Sequence, residues 1–415
     1  MTSIKEIFKS QGPKIFWTLI GLALLFEIIR DAGRGGDFIG YIQAGDLVLS
    51  GDDIYSDPLN TWPPFFSIFS VPLSLLDNMN DYVLRLLWLT LSLIAFIDLG
   101  NRVYKMIPLT AKLSYINDYK LGIIIIPFII SFRYLLDNLA NIQINIFMLW
   151  MVVVVQELIL KKQYWKAGFL LAFSISLKVY TIFILFFYVF KRMGKMVFWT
   201  GVFLLGLNTI PFLIFGVEAG IQYYDTWWHE IASGPTTVHH KNQSIFGTMQ
   251  RIFTDQFPGH SYYINLAQWD PEMVKSLTYI IISMAAIIPA YLFRKKSGST
   301  QFTCEWIFVL TAIPVLSPLA WKAYFIFLFP AYWLIHLIIN KHLDVSQRKL
   351  RSMKVFFWIS VGFTVLTSDL FVGKEWSDRM ESFSLITIGT IILLILILIV
   401  YPTMKRLTPN GFNHN

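Results

Sequence analysis

The run Ser384-Leu-Ile-Thr-Ile-Gly-Thr-Ile-Ile-Leu-Leu-Ile-Leu-Ile-Leu-Ile-Val-Tyr401 contains no charged side chain. A bilayer-crossing helix needs about 20 mostly apolar residues, and a helix satisfies its own backbone N–H and C=O groups where no water is present. The run therefore predicts a transmembrane helix. Eleven further stretches share its character: residues 15–29, 63–76, 82–99, 121–132, 144–160, 167–190, 197–217, 274–293, 304–316, 324–339 and 355–372.

Composition agrees. Only 14% of the 415 residues are charged, against about 25% in soluble domains, and the mean hydropathy is +0.57. This excludes a soluble globular protein. An aromatic share of 17%, with Gly and Pro following no period, excludes disordered and collagen-like chains. The single cysteine, Cys304, leaves no disulfide framework and no cysteine metal site. The net charge of +8 does not point to nucleic acid, because Lys and Arg gather in short clusters between apolar runs.

Those clusters set the orientation, since Lys and Arg resist translocation and stay cytoplasmic. Lys5, Lys9 and Lys14 place the N-terminus inside. Arg102, Lys105 and Lys112; Lys161, Lys162 and Lys166; Lys191, Arg192 and Lys195; Arg294 to Lys296; Arg348, Lys349, Arg351 and Lys354; and Lys405 with Arg406 are expected on the same side. That requires residues 63–76 to form an interfacial or re-entrant helix. It also requires 167–190 to turn back on itself, with Lys178 near the outward tip. The chain is then an all-α polytopic membrane protein of about twelve crossings with both termini inside. If 63–76 crosses and 167–190 is one helix, the total is unchanged but residues 141–145 move to the cytoplasmic end. Residues 15–29 read as a signal anchor, with no small-residue cleavage site before Arg30 and Asp31. The whole of 1–415 is expected to be one integral membrane domain, with outside segments 30–62 and 218–273 and C-terminal transmembrane helices over 274–401.

Polar groups in hydrocarbon are costly and tend to be functional, so chemistry is sought at the outside segments. In the first, Phe38, Tyr41, Ile42 and Leu49 share one face of a 3.6-residue period, while Gln43, Asp46 and Ser50 share another. A short surface helix is predicted there. Asp37 stands at its N-cap, where free backbone N–H groups and the positive helix end would keep the carboxylate ionised. Such a group suits a general base beside a lipid-borne donor, or serves only as a cap. Asp52, Asp53 and Asp57 lack the alternating ligand spacing of a Ca²⁺ loop and read as solvated turn acids.

Lys178 and Lys322 stand in or beside apolar runs. Each is expected to meet a lipid phosphate, or else to snorkel or pair internally. The second outside segment holds His229, His239, His240 and His260 with Asp225, Glu230, Lys241 and Arg251. No histidine pair has the helical spacing of a zinc site, so no metal is expected. A cationic and aromatic cluster for phosphate or sugar fits better, with Arg251 as the bidentate anion binder. Asn242-Gln243-Ser244 is formally a glycosylation sequon. Phosphate-loop, dinucleotide and HExxH patterns are missing, which leaves the membrane itself to deliver any activated donor.

Asp37-Phe38 with Tyr41 and Ala44, the turn Gly51-Asp52-Asp53-Ile54-Tyr55 and Trp62-Pro63-Pro64-Phe65 resemble the opening of GT-C glycosyltransferases of family 87, the polyprenol-phosphate-mannose-dependent mannosyltransferases and their relatives. Asn141-Ile142-Gln143-Ile144-Asn145 is similar to that family's Gly-Gln-x-Asn element, with Asn141 or Ile142 where glycine is usual. Gly168 with Lys178-Val179-Tyr180 is similar to its Gly…Lys hairpin, and Asn242-Gln243-Ser244 with Arg251 to its Asn-x-Ser…Arg element. Ser317-Pro318-Leu319-Ala320-Trp321 resembles its Ser-Pro-x-Ser-Trp element, and Ala323 and Tyr324 replace the two histidines that often follow, with Lys322 as their substitute. The resemblance runs from about Arg30 to Tyr324.

It implies a GT-C-like helix bundle around an outward cavity, with Asp37 as the catalytic acid residue. The expected activity is inverting transfer of a hexose, mannose first, from a polyprenyl-phosphate carrier to a lipid-linked or cell-envelope glycan acceptor. The setting expected is a bacterial inner membrane with the site facing outward. Lys178, Lys322 or Arg251 would stabilise the leaving phosphate, with Gln143, Asn145, Asn242, His239, His240 and Tyr324 as further substrate contacts. No cofactor and no nucleic-acid partner are expected. The alternatives are a transporter or flippase of lipid-linked sugars, which predicts acids along a central polar path, and a ligase of lipid-linked oligosaccharides.

Overall fold

A computed structural model describes residues 4–107, 120–232, 237–257, 262, 264–340 and 346–407. Lys112 and His260 lie outside them. For Lys5, Lys9, Lys14, Glu230, Lys405 and Arg406 the backbone alone is described.

Among the described residues the regular elements are helices: α1 (Ile4–Ala32), α2 (Phe38–Ser50), α3 (Pro64–Asp77), α4 (Asp81–Met106), α5 (Lys120–Ala140), α6 (Asn145–Leu160), α7 (Tyr164–Leu177), α8 (Ile182–Phe190), α9 (Gly194–Phe215), α10 (Val217–Thr226), α11 (Ile245–Phe253), α12 (Pro271–Phe293), α13 (Ser299–Leu316), α14 (Phe329–Asn340), α15 (Gln347–Thr364), α16 (Asp369–Val372), α17 (Lys374–Ser382) and α18 (Leu385–Leu407). Short 3₁₀ segments, Val179–Thr181 and Lys322–Leu328, precede α8 and α14, and a π-helical turn, Trp227–Ala232, follows α10. Six helical segments are long and apolar enough to cross a membrane, and α6, α7 and α8 are shorter apolar helices. The segment Lys322–Asn340 is 94% buried and forms the centre of the bundle, whereas α9 and α12 are 11% and 17% buried and form its apolar rim.

The basic clusters meet at one end. Arg102, Lys105 and Lys161 line a common cavity there; the Lys191 ammonium donates to the carbonyls of Phe293 and Lys295, and Lys349 to that of Ile399. At the opposite end Tyr82, near the start of α4, donates to the Ile29 carbonyl near the end of α1. Everything between α1 and α4 therefore lies on one side, and α3 is not a crossing. It lies against α2 through a close approach at Gly45, where a Cβ would meet the Ser70 carbonyl at 2.6 Å. Fully buried Phe38 and Tyr41 anchor α2, each worth about 1.5–3 kcal/mol of apolar burial. Leu49, expected on that face, is exposed.

Residues 167–190 do turn back at Lys178. Gly168 abuts Thr200 and Asn208 donates to Ser176, a constant offset that makes α7 and α9 parallel, so α8 between them runs the other way. Against about twelve expected crossings, the described segments of spanning length and apolarity are α4, α9, α12, α13, α14 with its 3₁₀ lead, and α18. One expected run is corrected. Residues 355–372 are not a single helix, because Arg133 and Tyr134 take the Thr364 carbonyl at 2.9 and 2.7 Å, ending α15 before α16 begins.

Candidate functional site

The chain leaves α1 through Gly35 and Gly36, both at positive φ. A Cβ on Gly36 would sit 2.6 Å from the backbone of Asn141. This closeness lets the Asp37 N–H donate to the Asn141 carbonyl at 2.9 Å, and the Ile144 N–H donates to the Tyr41 hydroxyl at 3.2 Å. The start of α2 is thus bolted to the turn between α5 and α6. Ile142 holds that turn at φ +48°, the left-handed region that glycine adopts without cost.

Asp37 does occupy the N-cap position of α2, but its side chain makes no capping hydrogen bond. Its carboxylate instead accepts from the Gln143 amide. Behind Gln143 a chain of bonds continues: Asn145 donates to the Gln143 carbonyl oxygen at 3.1 Å, and both Lys178 and Tyr180 donate to the Asn145 carbonyl oxygen, at 3.1 and 3.0 Å. The Lys178 ammonium also lies 4.4 Å above the centre of the Tyr324 ring, a cation–π contact. The capping bond expected of Asp37 is not formed; its side chain bonds to Gln143 in place of the start of α2. Asp37 opens into a cavity, yet the protein walls around it desolvate the carboxylate and raise its pKa, against the opposing pull of Lys178 and Gln143. A base with a raised pKa accepts a proton more readily near neutrality.

The cavity holds 320 Å³. Asp37 and Asp137 line it with Asn141 and Gln143, together with His239, Lys241 and Lys322 beside Trp321. Asp137 and Lys322 also line a second, larger hollow of 920 Å³, an apolar groove between α1, α5 and α15 with Ile20, Ile126, Ile130, Val361 and Phe371 on its walls. A polar chamber therefore shares two charged residues with an apolar groove. Lys322 is steered there by Glu381, whose Oε1 it meets at 3.0 Å, and more distantly by Asp369 at 3.9 Å. Arg133 meets the same Glu381 oxygen at 3.1 Å. Burial raises the Glu381 pKa while these two cations oppose the rise.

Several expected substrate contacts are elsewhere. Arg251 is 1% exposed, and it donates to the carbonyls of His239, Asn242 and Ser382 and to the Ser384 hydroxyl. Burial lowers its pKa to about 10, partly offset by Glu381. It ties α11 to the turn before α18 and does not line the cavity, so the anion-binder expectation is corrected. Asn242, fully buried, donates to the Thr237 and Pro318 carbonyls and accepts from the Ala320 N–H. It joins the segment following Thr237 to Ser317–Trp321 and is buried within it, while Ser244 caps α11 by accepting from the Gly247 N–H. His240 is buried beside Asp378, at 3.4 Å, whereas His239 faces the cavity. Lys178, Asn145 and Tyr324 stand behind Asp37 and Gln143. Asp52, Asp53 and Asp57 accept local bonds from Ser50, Tyr55 and Leu59 as turn acids.

Sequence reading missed Asp137, Arg133 and Glu381. The first two were readable from a spacing of four on one helix face, had α5 been extended past residue 132. Glu381 carries no local signal.

In comparison with known proteins, the model of glycosyltransferase family 87 matches residues 60–318. This span includes Gln143, Asn145, Lys178, His239 and Arg251, and it excludes Asp37, Lys322 and Glu381. No curated protein and no solved structure matches the chain.

Proposed function

This chain belongs to glycosyltransferase family 87, and from that premise we propose that it transfers a hexose, mannose in the first instance, from a polyprenyl-phosphate carrier to a lipid-linked or cell-envelope glycan acceptor. The observation that carries this reading is the junction of the polar chamber with the apolar groove at Asp137 and Lys322. A donor with a charged head and an isoprenoid tail needs both environments side by side. The basic clusters lie at the far end of the bundle, and with those clusters inside the chamber faces out of a bacterial inner membrane.

In the mechanism we infer, Asp37 takes the proton of the acceptor hydroxyl as that oxygen attacks the anomeric carbon. The bond from that carbon to the phosphate oxygen breaks on the opposite side, so the configuration inverts. The leaving phosphate gathers negative charge, and Lys322, Lys241 and His239, which line the same chamber, stabilise it. Lys178 and Gln143 do different work from the phosphate contact expected of the lysine: they hold Asp37 in place and favour its charged form. The test is to incubate the purified protein, with acceptor lipid extract, with a panel of polyprenyl-phosphate hexoses. Consumption of one member and release of polyprenyl phosphate is expected; consumption of none, with folded protein, refutes the reading.

A further inference from the structure

His240, Asp378 and Glu381 come from segments far apart in the sequence, yet one ligating atom of each lies within 4.8 Å of the others. Their exposures are 4%, 8% and 0%. Oε1 of Glu381 takes Arg133 and Lys322, and Oε2 is buried with no hydrogen-bond partner. His240 Nε2 lies 3.4 Å from Asp378 Oδ1. That is long for a hydrogen bond, but two ligands about 2.1 Å from one ion at a tetrahedral angle stand roughly 3.4 Å apart.

We propose that His240, Asp378 and Glu381 bind one first-row divalent cation, Zn²⁺ or Mn²⁺, which clamps α17 to the segment carrying His239 and Lys241. One imidazole with two carboxylates suits these ions better than Mg²⁺ or Ca²⁺, which take oxygen ligands alone. Arg133 and Lys322 on Oε1 balance the charges of the two carboxylates, and the orphaned Oε2 of Glu381 is the lone-pair position that the ion would fill. The ion would hold Glu381, and through it Lys322, at the chamber wall.

The test uses the full chain in detergent, purified through a histidine-free tag, stripped with chelator and titrated with ZnCl₂ or MnCl₂. Elemental analysis after desalting should find about one equivalent bound, and the loaded protein should unfold at a higher temperature than the stripped one. Asp378→Asn should weaken binding roughly tenfold or more. Asp225→Asn, in the exposed pair His229–Asp225 at the same 3.4 Å, should leave binding unchanged. No retained metal and no thermal shift with either salt would overturn the proposal, as would wild-type affinity in D378N or equal loss in D225N. Should D378N fail to accumulate, the wild-type titration decides. Because binding is read without turnover, failure here is distinct from failure of the glycosyltransferase reading.

Discussion

The Gln143 amide donates to the Asp37 carboxylate from a turn 106 residues further along the chain. This contact orients the carboxylate toward the chamber in place of the helix-capping bond that the local sequence suggests.

Asp37→Asn keeps the shape of the side chain and removes the base. We expect transfer to fall by about 10²-fold or more, with the thermal unfolding temperature little changed. Near-normal turnover by the folded variant would remove Asp37 from the chemistry.

The pH profile carries a sign. Burial raises the Asp37 pKa, and Gln143 and Lys178 hold it down; a base works once deprotonated, so activity falls as pH drops through that pKa. Gln143→Leu and Lys178→Met each remove a lowering influence, so the acidic limb of kcat/KM should move to higher pH. An unmoved limb in both variants would mean that neither residue tunes the base.

Lys322→Met removes the cation shared by chamber and groove. The apparent KM for the donor should rise by about tenfold, on the order of 1.4 kcal/mol, with a smaller change for acceptor. An equal change for both substrates would argue for general distortion instead.

Gly36→Ala forces a Cβ against the Asn141 backbone at φ +53°. We expect a loss of stability of about 1–3 kcal/mol, read by thermal unfolding, and a lower kcat from displaced Asp37. Gly201→Ala, where a Cβ meets open space, serves as the control.

The fold was legible in the sequence where one physical rule governs a long run. The apolar runs gave the all-helical bundle and its six long apolar segments, and the basic clusters gave the reversal at Lys178. The site was legible only in part. Asp37, Gln143, Asn145 and Lys178 do form one network, but the sequence assigned Asp37 a local partner because capping is a short-range rule, whereas its actual partner is remote. Arg251 was misread because a buried guanidinium can be satisfied by backbone carbonyls, which sequence does not display. Glu381 pairs with Arg133 across 248 residues, beyond the reach of any spacing argument. The same distance conceals the His240, Asp378 and Glu381 cluster.

The brevity of the return pass below Lys178 has a consequence of its own. Val179–Phe190 comprises twelve residues, about 18 Å of helix at 1.5 Å per residue, while the oily layer of a bilayer is about 30 Å thick. Lys178 and its network are therefore sunk beneath the plane of the lipid headgroups, unless the bilayer puckers inward around this part of the bundle. Any hydroxyl that is to reach the chamber floor must descend with its carrier, or the membrane must dimple to meet it.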